Sequence, residues 1–195
     1  RIPLPLTIIQ ILAVDLGTDM LPALALGAEK PDPAVMQRPP RAPNERLLSW
    51  GLIARAYLFL GVLEAAAAML AFFFVLDAAG WHDGQLLDRF DPVYLQATSA
   101  CLATIVVMQV INVFLCRHPR RSLLACGFGG NGYLWLGIVV ELAVIVLILY
   151  TPSGNWLFGT AAIGGTTWLL AIACAALMCV LEELRKLSIR QTTGA

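Results

Sequence analysis

Hydrophobic and polar positions in this chain segregate over whole segments rather than alternating residue by residue. Five mostly apolar runs, at about 4–27, 52–76, 95–115, 133–150 and 157–180, approach the roughly 20 residues that a membrane-crossing helix requires. Polar stretches separate them. "EKPDPAVMQRPPRAPNER" follows the first run, and its proline and charge predict an exposed, largely non-helical linker. "DAAGWHDGQLLDRFD" is an acidic loop, "CRHPRRSLLACGFGGNG" a basic one, and "TPSGN" a tight turn. The pattern predicts an all-α membrane protein, a bundle of five transmembrane helices. Gly17 and Pro22 fall inside the first run, so that helix is expected to be kinked or partly unwound, broken near Gly17–Pro22. No internal repeat is visible.

Composition agrees with this reading. Of 195 residues, 59% are hydrophobic and 13% charged, about half the usual charged share of a soluble domain, and the mean hydropathy is +0.77. A formal net charge of zero argues against a nucleic-acid partner. The cysteines, Cys101, Cys116, Cys126, Cys174 and Cys179, form no metal-type Cys-x-x-Cys pair and read as reduced apolar packers. The chain begins with Arg1, no cleavable signal pattern follows, and a longer parent protein is expected.

The distribution of Lys and Arg sets an orientation. Lys30, Arg38, Arg41, Arg46, Arg55, Arg117, Arg120, Arg121, Arg185, Lys186 and Arg190 fall on one side, and only Arg1 and Arg89 on the other. Five crossings then place the N-terminal end outside and the C-terminus in the cytoplasm. The basic clusters serve as topology determinants and lipid-headgroup contacts.

Four acids lie inside the apolar runs: Asp15, Asp19, Glu64 and Glu141. Each costs about 2.5–3.5 kcal/mol to insert on translocon scales. Thr18, Thr104, Gln109 and Asn112 accompany them, and no Lys or Arg lies at similar depth to pair with them. Asp15 and Asp19 are four apart, on one face of a helix. Carboxylates facing one another in a membrane require protons or a cation. Oxygen-only ligands suit hard cations such as sodium, potassium, calcium or magnesium. Gly17 would let the helix open so that backbone carbonyls join the shell. Glu64 beside "AAAA" has an equally simple reading, a protonated packing residue bonded to a neighbouring helix. Gln109 and Asn112, three apart, can serve as interhelical glue.

The stretch "PLPLTIIQILAVDLGTDMLPALALGAEKPDPAVMQRPPR" resembles the sixth transmembrane helix and following loop of type II P-type cation ATPases, the family of the sodium/potassium, proton/potassium and calcium pumps. "VVMQVINVFLCRHPRRSL" is similar to the eighth helix and its basic loop, "VVELAVIVLILYTPSG" to the ninth helix, and "LEELRKLSIRQ" to the end of the tenth. The resemblance implies that residues 1–195 are the C-terminal membrane domain of such a pump, from the sixth to the tenth helix. It assigns Asp15, Thr18 and Asp19 to the cation ligands of the sixth helix. Gln109 and Asn112 match polar positions of the eighth helix that contribute to sodium binding, and Glu141 an acid of the ninth helix linked to a third sodium site. Asn112 stands where the sodium pump has Asp, and Val140 where it has a second Glu. Both departures reduce ligand charge, so sodium, potassium, calcium and the proton all stay open as the transported cation.

No Asp-Lys-Thr-Gly phosphorylation motif, glycine-rich phosphate loop or "TGE" is present. The resemblance therefore implies that ATP and magnesium act only through other domains of the parent, and that this chain alone does not hydrolyse ATP. The implied partners are the lipid bilayer and those other domains, above all the parent's fourth and fifth transmembrane helices. Alanine-rich, Arg-over-Lys composition points to a bacterial plasma membrane. Two other classes remain: a stand-alone membrane scaffold or accessory module that no longer transports, and a passive ion channel.

Overall fold

The structure, a computed structural model, describes residues 2–31, 48–118 and 121–193. Its elements are helices: α1 (Ile8–Gly27), α2 (Trp50–Ala78), α3 (Pro92–Cys116), the single turn α4 (Leu123–Cys126), α5 (Gly132–Tyr150), α6 (Pro152–Phe158) and α7 (Gly165–Thr193). α1, α2, α3, α5 and α7 are long and apolar enough to cross a membrane. No strand occurs among the described residues.

Polar caps start most of these helices. Thr7 accepts from the Gln10 backbone N–H while the Gln10 side chain accepts from that of Thr7, a capping box. Ser49, Asp91, Asn131 and Thr151 each accept a backbone N–H from the first turn that follows, and Pro92 and Pro152 occupy the first helical position behind the last-but-two and last of these caps. Gly159, with φ of +60°, ends α6 in the left-handed conformation. The last span therefore begins at Gly165 and not at 157. The cap at Thr151 and the stop at Gly159 make residues 152–158 a separate short helix, tied back by Thr160 Oγ1 donating to the Ile148 carbonyl at 2.8 Å.

The expected irregularity in α1 is present in a specific form. Residues Ala13–Thr18 make a π-helical turn, in which the Asp19 N–H donates to the Val14 carbonyl five residues back. Pro22 has no N–H, and the Ala23 N–H goes to the Asp19 carbonyl. Only the N–H groups of Met20 and Leu21 are then left for the carbonyls of residues 15–18. A second π-helical turn, Ala54–Leu60, lies near the start of α2.

α3 is the central helix. Of its most apolar 18-residue window 61% is buried, against 28% to 39% in the other four spans. α2 and α7 pack on α3 and on each other, and α5 packs on α3 and α1. Small residues allow the close approach: Ala67, Ala68 and Ala71 of α2, Ala97, Ala100 and Ala103 of α3 and Ala171 and Ala175 of α7 are all buried. α1 and α3 run parallel in a constant register. Gln10 Nε2 meets Thr98 Oγ1, Asp19 meets Gln109, and Glu29 meets Arg117, at sequence separations of 88, 90 and 88.

The two ends of the bundle differ in charge. At one end Arg117 donates to Glu29 at 2.6 Å, Asn131 Nδ2 donates to the Ala25 carbonyl and to Glu29, and Arg55 of α2 pairs with Glu182 of α7. Lys186, 1% exposed, donates to the Leu115 carbonyl there as well. At the other end Tyr94 donates to the Leu4 carbonyl, and Gln10 to the carbonyls of Phe158 and Gly159. Of the basic residues grouped on one side by the sequence, Arg38, Arg41, Arg46 and Arg120 lie outside the described residues, as does Arg1 of the opposite side.

Candidate cation site

Asp19 closes the π-helical turn of α1, and its carboxylate is half-buried against α3. Gln109 Nε2 donates to Asp19 Oδ2 at 2.9 Å. The other Gln109 atom, Oε1, is buried with no hydrogen-bond partner among the described residues.

α5 approaches the same turn from another side. A side chain on Gly17 would begin 3.8 Å from Val144 Cγ1, and one on Gly137 would begin 3.1–3.3 Å from backbone atoms of Leu21 and Pro22. The helices are antiparallel, so Glu141, between Gly137 and Val144, falls opposite Thr18 and Asp19. Glu141 is 1% exposed, and neither of its carboxylate oxygens has a hydrogen-bond partner among the described residues. The Asp19 carboxylate lies within charge-interaction range of Asp15, Glu64 and Glu141.

Thr18, 2% exposed, donates its hydroxyl proton to the Val14 carbonyl at 2.9 Å, which leaves the oxygen's lone pairs free to accept. Asp15 is exposed, on a face of α1 that also leaves Ile8 at 80%, Leu12 at 50% and Leu16 at 66% exposure uncovered. The structure thus brings Asp19, Gln109, Glu141 and Thr18 to one level, with Asp15 beside them on the open face. Asn112 is not drawn into this group by any hydrogen bond described; its Oδ1 accepts from the Cys116 thiol at 3.5 Å. Thr104 is satisfied within its own helix, donating to the Ala100 carbonyl. Among the described residues no three His, Cys, Asp or Glu side chains alone form a metal-holding group. Any cation held here needs amide, hydroxyl and backbone oxygens besides the carboxylates.

The arrangement is that of an integral membrane protein with a negatively charged polar cluster between its helices and its basic residues at the helix ends. Residues 3–188 match the family model described as "Cation transporting ATPase, C-terminus". The chain belongs to the P-type cation-transporting ATPase family, as a C-terminal membrane domain. It is 32% identical to the sodium/potassium-transporting ATPase subunit alpha of Hydra vulgaris over 99% of its length, and 34% identical to human sodium/potassium-transporting ATPase subunit alpha-4 over 97%. It is 29% identical to human potassium-transporting ATPase alpha chain 2 over its whole length. The chain spans about a fifth of these relatives, 21% of each.

Proposed function

We propose that this chain supplies part of the cation-binding and translocation path of an ATP-driven pump. Asp15, Thr18, Asp19, Gln109, Asn112 and Glu141 are the ligand set we assign. The observation that carries the reading is the junction of three helices at Asp19. Gln109 holds one oxygen of that carboxylate, while the buried Glu141 lies opposite it with both oxygens unpartnered among the described residues. Two carboxylates in a low-dielectric setting repel, and a transported cation removes that repulsion. The oxygen donors fit a hard cation: sodium, potassium, calcium or a proton. Relatives named for sodium and potassium transport support the choice of class.

The uncovered face around Asp15 is where the rest of the parent completes the site, through its fourth and fifth transmembrane helices, with this chain contributing the sixth to the tenth. ATP and magnesium act on those other domains, whose phosphorylation changes the geometry around Asp15 and Asp19. The basic end of the bundle and the C-terminus face the cytoplasm, following the Lys and Arg bias, and the composition favours a bacterial plasma membrane.

The test is Asp19→Asn in the full-length parent, which keeps size and removes charge. Cation-activated ATPase and transport fall at least tenfold while membrane insertion is retained. Unchanged cation affinity and transport would reduce the Asp15/Asp19 pair to helix-packing residues, and ion flux without ATP would make the path a channel.

A further inference from the structure

Glu64 is the one acid within the apolar runs that the ligand set leaves out. It lies on α2, inside a buried stripe: Leu60, Ala67, Ala68 and Ala71 sit four before it and three, four and seven after it, and are 4%, 6%, 4% and 0% exposed. Its side chain is therefore directed to the α3 side of α2. Its depth follows from a fixed point at the basic end, where Arg55 Nη2 donates to the Leu115 carbonyl at 3.1 Å. From that contact Glu64 is nine residues outward on α2, about 13 Å, and less through the π-helical turn. Gln109 is six residues outward on α3, about 9 Å. Both residues thus lie about two helical turns in from the basic end, and Gln109 is the residue that holds Asp19.

A packing role would require a hydrogen-bond partner for a carboxyl this deep. Among the described residues no hydrogen bond or ion pair reaches Glu64, and the Asp19 carboxylate is near enough to act on it through charge. The nearest cation on its own helix is Arg55, which is committed to Glu182 and Leu115. Independent evidence that this level awaits a ligand comes from α5 and α3: Glu141 and Gln109 leave three buried oxygens unpartnered there.

We propose that Glu64 is a further carboxylate of the cation site, so that α2 contributes a ligand alongside α1, α3 and α5. The ligand is a hard cation of the alkali or alkaline-earth class. Glu64 adds its carboxylate to those of Asp19 and Glu141, and because these acids do not by themselves form a closed group, the Gln109 amide oxygen and backbone oxygens complete the shell. The inference rests on the reading of α1 as a ligand helix.

The experiment uses the full-length parent, with ATPase activity titrated by sodium, potassium and calcium in turn, for Glu64→Gln and Asp19→Asn side by side. Glu64→Gln raises the half-activating concentration of the effective cation at least tenfold, and Glu64→Asp restores part of it. Wild-type cation affinity in Glu64→Gln, with Asp19→Asn impaired, overturns the role of Glu64 and leaves the α1 site standing. Wild-type affinity in Asp19→Asn overturns the site itself. Should Glu64→Gln not accumulate as folded protein, Glu64→Asp decides: it keeps the charge but shortens the reach, and at least a threefold loss of affinity is expected. Unchanged affinity in that variant overturns the proposal.

Discussion

The contact between α1 and α5 offers a stability test that needs no knowledge of the ion. In Gly137→Ala the new Cβ would sit 3.1 Å from Pro22 N, 3.2 Å from the Leu21 carbonyl carbon and 3.3 Å from Pro22 Cα. All three are backbone atoms of a proline-containing turn, so no side-chain end can swing aside, and the helices must separate by a few tenths of an ångström. Such overpacking costs about 1–3 kcal/mol. Alanine in place of glycine within a helix recovers about 0.5–1 kcal/mol. Gly17→Ala is the matched control on the facing helix. Its Cβ meets only Val144 Cγ1, at an ordinary 3.8 Å, so it carries the helix-propensity gain without the clash. The propensity gain cancels in the comparison, and the difference between the variants, about 1–3 kcal/mol, is the steric cost alone. The assay is the thermal unfolding midpoint of the full-length parent in detergent. Gly137→Ala should unfold below wild type and Gly17→Ala at or above it. An unfolding midpoint of Gly137→Ala equal to or above that of Gly17→Ala would refute the close packing of α5 on Pro22.

Two further predictions concern the basic end. The Arg117 hydrogen bond holds the Glu29 carboxyl below its ordinary value of 4.5, helped by Asn131. A lowered carboxyl stabilises the fold above that ordinary value, and the contribution is lost as pH falls through the depressed one. The stability gap between wild type and Glu29→Gln should thus stay constant from pH 7 to about 5 and shrink in more acid solution; a gap that widened there would contradict the pairing. Glu182, 0% exposed, accepts from both Arg55 and Arg185. Glu182→Ala strands Arg55, itself 11% exposed, and should cost about 3–5 kcal/mol. Arg55→Met should cost clearly less, because Arg185 still covers both Glu182 oxygens; equal losses in unfolding measurements would show that Arg185 does not share the charge.

The five membrane helices were legible in the chain itself because lipid demands runs of about 20 apolar residues, and only Leu-, Val- and Ala-rich segments meet that demand. The "DLGTDM" segment was legible for the same reason: Asp15 and Asp19 are conspicuous where charge is costly. Local chemistry also placed the disturbance in α1, since Pro22 removes a donor wherever it stands. What the apolar pattern missed was where α7 starts, because Gly159, Gly164 and Gly165 count as neither strongly apolar nor polar in a hydropathy reading, while Gly159 in the left-handed conformation ends a helix outright.

The site itself was decided by packing. Gln109 and Asn112 look alike in sequence, three apart on one helix, yet the parallel register of α1 and α3 gives Asp19 to Gln109 and leaves Asn112 with Cys116. Glu141 is opposite Asp19 because Gly137 lets α5 approach α1 closely at Leu21 and Pro22. Asp15 and Asp19, equivalent by helical spacing, are separated by the bundle into an open position and a half-buried one. Helical periodicity names the face a residue occupies, but the register between two helices is set by long-range contacts such as Gln10 with Thr98 and Glu29 with Arg117, 88 residues apart. Periodicity within a single run contains no information about those contacts.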